Sequence, residues 1–254
     1  MEEEKLWFSC SEGDIEDVIN LLQNPQINTN WQDSQYSRTP FWIACEKGHI
    51  EIVKLFLNDK RVDINQANKD GATPFFIACY DGQIKIVKLL LSDERVDINK
   101  VDSTGQTPFW TACQNEDIEI VKLLLNDKRV DINKVDNFEM SPFYIACLYG
   151  YIEIVKYLLA FRREIDINKA INGGKTGLDV ARERRKIEKG SWESEEEFEN
   201  RKRKYTKIIE LIESFERNQN ETRTKLRIEL GLAGKFIYLL TSISLLNKFI
   251  NLYL

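Results

Sequence analysis

Thr107-Pro108-Phe109-Trp110-Thr111-Ala112-Cys113, with Ile118-Glu119-Ile120-Val121-Lys122-Leu123-Leu124-Leu125 just after it, is the stretch that decides the fold, because the chain says it four times. Thr39-Pro40-Phe41-Trp42-Ile43-Ala44-Cys45 precedes it, and so does Thr73-Pro74-Phe75-Phe76-Ile77-Ala78-Cys79. Ser141-Pro142-Phe143-Tyr144-Ile145-Ala146-Cys147 follows it. Pro40, Pro74, Pro108 and Pro142 recur at a constant interval of 34 residues. A fixed period of a few tens of residues is the mark of a stacked-repeat protein.

Each unit has a physical logic. Thr or Ser is a good helix N-cap, and Pro is tolerated at the first helical position, where its missing N–H costs nothing. A short helix follows, with the small residues Ala and Cys on one side, where a neighbouring helix can come close. Gly48, Gly82 and Gly150 break that helix. The second helix, Ile50–Leu57 and its copies, carries apolar residues at helical spacing. Segments such as Asn68-Lys69-Asp70-Gly71 and Asp102-Ser103-Thr104-Gly105 make the turn into the next unit. One unit cannot bury its own apolar face, so neighbours must stack.

The pattern resembles the ankyrin repeat, in which a turn is followed by Thr-Pro-Leu-His-x-Ala and a Gly-broken helix pair that ends near Asp-Val-Asn. The resemblance runs from about residue 1 to about residue 215 and implies an all-α fold. That fold is an ankyrin-repeat solenoid of helix pairs joined by β-turn loops, with an enlarged C-terminal capping helix hairpin and a terminal apolar helix. Three departures stand out. Trp42, Phe76, Trp110 and Tyr144 replace the family's motif His, so the usual hydrogen bonds of that His are expected to be missing. The second-helix exit, Asn126-Asp127-Lys128-Arg129-Val130-Asp131-Ile132-Asn133, is one residue longer and lacks the family's Gly. Glu116 stands where the other units have Gly.

Residues 1–30 read as a divergent first repeat, with Leu6-Trp7-Phe8-Ser9-Cys10 in place of the first helix. Repeats follow at 31–65, 66–99, 100–133 and 134–168. Residues 169–217 read as a closing repeat whose first helix continues to Lys189 and whose second spans about 194–216. Residues 218–234 read as a polar linker with a short helix from Thr222. Residues 235–254 carry only Lys235 and Lys248 as charges and read as an apolar helix. Three readings stand for that helix: docking on the stack or on a partner, a membrane anchor, or an aberrant chain end. Its length suffices for a span, but Lys248 would lie inside, at a cost of about 2.5–3.5 kcal/mol unless it snorkels.

The composition narrows the function. The chain has 254 residues, 43% apolar and 30% charged, and a net charge of −5. Such a balance is globular and argues against general nucleic-acid binding, which needs a basic footprint. Cys10, Cys45, Cys79, Cys113 and Cys147 occupy one register. Packed helices lie about 8–10 Å apart, whereas a disulfide needs Cα atoms within about 7 Å. Equivalent cysteines should therefore stay unpaired, which suits a reducing compartment and a cytoplasmic location, with the nucleus or the cytosolic face of a membrane as alternatives. The start Met1-Glu2-Glu3-Glu4 lacks the basic head of a secretory signal.

Chemistry-bearing motifs are few. Gly173-Gly174-Lys175-Thr176 is the tail of a phosphate-loop motif, but the first glycine of that motif would fall at Lys169. Asp97–Asp102 lacks the glycine that a calcium loop needs at its sixth place. Arg201-Lys202-Arg203-Lys204 could be a nuclear address, but it follows the acidic run Glu193–Glu199 and fits a helix carrying both signs. His49 is the single histidine and sits in the repeat register. No cofactor, no metal and no catalytic set is expected, so the chain reads as a non-enzyme.

The resemblance implies a recognition surface on the turn tips and the first helices, the concave face of the family. By register that face takes Tyr36, Arg38, Lys69, Asp70, Tyr80, Gln106, Gln114, Phe138, Met140, Leu148 and Tyr149. The expected function is a protein-binding adaptor with one protein partner, no nucleic acid and no self-assembly. The alternative is a scaffold tethered to a membrane by 235–254.

Overall fold

Thr39, Thr73 and Thr107 each turn a hydroxyl back to accept the backbone N–H three residues on, at 3.1 Å, from Trp42, Phe76 and Trp110. These caps start the first helix of three successive pairs in a computed structural model that describes residues 2–161 and 163–233. Among those residues all regular structure is helical. The chain divides into two compact units, Met1–Ile145 and Ala146–Leu254.

In the first unit the helices come in pairs. They are α1 (Glu2–Glu12) with α2 (Ile15–Leu22), α3 (Pro40–Lys47) with α4 (Ile50–Asn58), α5 (Pro74–Tyr80) with α6 (Ile84–Leu91), and α7 (Pro108–Gln114) with α8 (Ile118–Asn126). α1, α3, α5 and α7 pack in a row, and α2, α4, α6 and α8 pack in a second. The unit boundary falls inside α9 (Pro142–Tyr149). Between the rows lie Phe41, Phe56, Phe75, Leu90, Phe109 and Leu124, each almost wholly buried. The four cysteines of the unit are free and buried there, and burial pushes their thiols well above the usual range. They behave as small apolar side chains rather than as reactive groups.

The break between paired helices needs a left-handed residue. Gly48 and Gly82 supply it at φ 77° and 69°, and Glu116 is forced to φ 57° in the same register. At Gly48 an added Cβ would lie 2.4 Å from Oε1 of Gln83 in the next repeat, a side-chain end that could shift, so the positive φ is what favours glycine there.

Two polar ladders, neither visible in the periodicity, tie the first unit together. Asn30, Asn65 and Asn99 each donate Nδ2 to the carbonyl of the next repeat's Arg61, Arg95 and Arg129, at 2.7–2.8 Å. Each also accepts the backbone N–H of Asp63, Asp97 and Asp131, at 2.7–2.8 Å. The arginines reach the other way. Arg61 donates to the carbonyls of Leu22 and Asn24, Arg95 to Leu57, and Arg129 to Leu91. Asp59, Asp93 and Asp127 hold these guanidinium groups in place two residues before them. The lengthened exit of the second helix is therefore the joint between repeats.

The second unit contains α10 (Ile152–Ala160), α11 (Gly177–Lys186), α12 (Glu195–Arg217) and α13 (Gln219–Glu229). α12 packs on α10 and α11, and α13 packs on α10 and α12. Capping boxes start the long pair, Thr176 with Asp179 and Ser194 with Glu197. Gly173 and Gly174 form a left-handed turn ahead of that cap, and Lys175 pairs with Glu183. α11 stops at Lys186, short of the Lys189 read from sequence. The carbonyls of Arg184, Ile187 and Glu188 instead accept from Arg201, which also pairs with the buried Glu193 at 2.9 Å. The basic run at 201–204 thus lies on a helix of mixed charge.

Within residues 218–233 the helix read from Thr222 begins earlier, at Gln219, and runs to Glu229. Thr222 is buried and donates its hydroxyl to the Ser214 carbonyl at 2.9 Å, and Arg223 lies 5.3 Å from the centre of the Phe215 ring. Lys156 joins Glu153 of its own helix to Glu229 of α13, both at 2.7 Å. Polar side chains and Leu226, not an apolar stripe, hold most of this helix. Among the described residues no helix is long and apolar enough to cross a membrane. The terminal apolar helix expected at 235–254 lies outside the described residues.

Candidate functional site

Each repeat of the first unit presents a turn tip and the end of a first helix. An Asx side chain folds each tip by accepting backbone N–H groups two to four residues on. Asn68 takes those of Asp70 and Ala72, Asp102 those of Thr104 and Gln106, and Asp136 those of Phe138 and Met140. In the first, longer tip Asp33 accepts from Gln35, Tyr36 and Arg38, and the Arg38 side chain holds its carboxyl at 3.1 Å. Successive tips are bonded along the row. Lys69 N donates to Tyr36 O, Ser103 N to Asp70 O, and Asn137 N to Thr104 O, at 2.8–3.0 Å.

The residues assigned to this face by register fare differently. Tyr36, Arg38 and Lys69 come together. The Arg38 guanidinium lies 4.8 Å from the Tyr36 ring centre, and the Lys69 ammonium lies 4.3 Å from the same ring. Tyr80 is half exposed at the end of α5, where its carbonyl accepts from Asn115. Asp70 is exposed, while Gln106 and Gln114 are half-buried. Phe138 is 66% exposed at its tip, but Met140 is half-buried with both backbone groups engaged. In the second unit Tyr149 stacks on Tyr151 with ring centres 5.6 Å apart, and the Leu148 carbonyl accepts the Tyr205 hydroxyl at 2.9 Å. Lys204 lies over Tyr151 at 5.6 Å, a neighbour that register did not suggest.

The aromatic residues in the motif position are buried, as packing between repeats requires. The two tryptophans carry hydrogen bonds of their own in place of the family's His. Trp42 Nε1 donates to the Ala72 carbonyl and Trp110 Nε1 to the Met140 carbonyl, both at 2.8 Å. The indole reaches from one repeat into the next. His49 lies at the start of α4 and bonds the Ser11 carbonyl at 3.0 Å through Nε2, a structural contact.

Sequence reasoning overlooked Trp7. It stands three residues before Cys10, as Trp42 stands before Cys45, so its register was available. The Arg38 guanidinium lies 4.9 Å from the Trp7 ring centre and 5.9 Å from that of Trp42. Phe8, 54% exposed, meets Trp7 edge to face.

Helix pairs, left-handed breaks, capped first helices and hydrogen-bonded tips together define a repeat solenoid built for recognition. The family described as ankyrin repeats (3 copies) matches residues 6–102 and 94–171. The chain belongs to the ankyrin-repeat family, whose repeats are protein-interaction modules. Among solved structures it is similar to one described as the crystal structure of EF0377, an ankyrin repeat protein. The TM-score is 0.68 at 27% identity, over 83% of this chain and 96% of that one. A search of curated proteins gave no match.

Proposed function

We propose that the chain is a non-enzymatic adaptor that binds another protein through its turn tips and first-helix ends. One observation carries this reading. Tyr36, Tyr80 and Phe138 of the first unit are 37%, 50% and 66% exposed on that face, while the aromatic residues set deeper in the same repeats are buried. Exposed tyrosine and phenylalanine add contact area at little entropic cost and are enriched where partners dock. The second helices carry Glu51–Lys54 and Glu119–Lys122 ion pairs instead, which suit a solvated face. The free, buried cysteines support a reducing compartment for this work.

Site-directed photo-crosslinking in cells tests the assignment. A benzophenone side chain at Tyr80 or Gln114 should give discrete crosslinked species, and one at Lys85 or Glu119 should give none. A uniform or reversed pattern would remove the proposed face.

A further inference from the structure

We propose that Arg38, held among Trp7, Tyr36 and Trp42, is a receptor for a carboxylate, so the partner segment that docks at the amino-terminal end of the first unit is acidic. The proposal rests on the adaptor reading and names the chemistry of one end of its face.

Arg38 is unusually well fixed. Three aromatic ring centres lie within 5.9 Å of its guanidinium carbon. Its Nε donates to Asp33 Oδ2 at 3.1 Å, which sets the orientation of the planar group. Its two terminal nitrogens have no acceptor among the described residues, and about one-fifth of the side chain is open to solvent. A fixed guanidinium with a free pair of N–H groups fits a carboxylate in the two-point manner that Lys cannot match. Ordering Arg38 in advance removes an entropic cost that binding would otherwise carry.

The surroundings point to the same ligand. The Trp7 indole Nε1 is buried and lacks an acceptor among the described residues, an uncommon state for a buried donor. Lys69 bonds the Gln35 carbonyl at 2.9 Å and adds a second cation beside Tyr36. Exposed Phe8 against Trp7 offers an apolar rim for the residue next to the acid. A trimethylammonium ligand would need an open aromatic cage, and Arg38 already fills this one.

The test follows indole and arginine Nε–H resonances of the full chain by NMR. The probe is an acetylated, amidated hexaglutamate peptide, and hexaglutamine is the control. The Trp7 indole signal is identified by its loss in Trp7→Phe. Hexaglutamate should shift the Trp7 and Arg38 signals saturably, and hexaglutamine should not. Arg38→Gln should weaken binding at least tenfold, and Arg38→Lys, which keeps charge without the fork, should weaken it several-fold. Lys69→Ala, at an exposed site where melting should not change, should also weaken it several-fold and decides the matter if an Arg38 variant fails to fold. Absence of shifts, equal shifts with hexaglutamine, or unchanged affinity in these variants would overturn the proposal. Crosslinking at Tyr80 and Gln114 that persists in that case would leave the adaptor reading intact.

Discussion

Glu116 is held at φ 57°, where Gly48 and Gly82 sit in the preceding repeats. A Cβ in this region clashes with the following carbonyl oxygen, and the exposed Glu116 side chain gains no hydrogen bond or ion pair among the described residues in return. Glu116→Gly should stabilise the protein by about 1 kcal/mol, seen as a higher Tm; an equal or lower Tm would refute the strain. Asp59 shows the opposite balance. Its bonds to the Arg61 side chain hold the carboxyl below its ordinary value of 3.8. A carboxyl with a lowered folded-state pKa adds stability above its unfolded value and loses it as pH falls through the folded one. Asp59→Asn should therefore cost about 1 kcal/mol at pH 7. The gap in Tm between the two proteins should hold down to about pH 4 and close below it. A gap independent of pH would mean that charge is not the cause. At this scale the left-handed Glu116 was legible from its register, but the Arg38 cluster was not. Bringing Trp7 to Arg38 requires the long first tip to fold onto its neighbour, and no spacing rule encodes that contact.

At the scale of the element, the exit of each second helix is the part whose meaning changed most. Its sequence, Asp-Lys-Arg-Val-Asp-Ile-Asn or a close copy, reads as a lengthened loop. In the folded chain its Arg satisfies carbonyls at the end of the preceding helix, groups that have no intrahelical partner. Arg61 serves α2 in this way, so its loss should be felt at the amino-terminal pair. Hydrogen exchange is the suitable probe. Arg61→Ala should speed exchange at least tenfold in α1 and α2 and leave α5 to α8 unchanged, because contacts in a stack reach only the neighbouring repeat. Faster exchange throughout, or no change at α2, would rule out the local joint. α13 was read as starting at Thr222 rather than at Gln219 for a related reason. Periodicity reports apolar stripes, whereas this helix is held by Thr222, Arg223 and the Lys156–Glu229 ion pair.

For the whole molecule, the sequence period carried the fold class because each repeat must bury its apolar face on the next, which keeps Pro, Ala and Cys in step. The proposed recognition face was legible only as a register. Register told which side chains could lie there, but it could not tell that Met140 gives both backbone groups to the stack while Phe138 projects. The face therefore differs from one repeat to the next in chemistry, with cations and aromatic rings at Arg38 and Lys69 and amides at Gln106 and Gln114.

The asparagine and arginine ladders have a consequence for how such a chain can grow. The asparagine bonds join residues 30 to 33 apart and the arginine bonds residues 37 to 39 apart, and the same partners return one period later. A second copy of residues 66–99, spliced in after the first, would meet at both seams the same donors and acceptors that the natural seams use. The joint is written in every repeat, so the gene can be lengthened by whole periods without inventing a new contact, while an insertion of any other length would leave two ladders out of step.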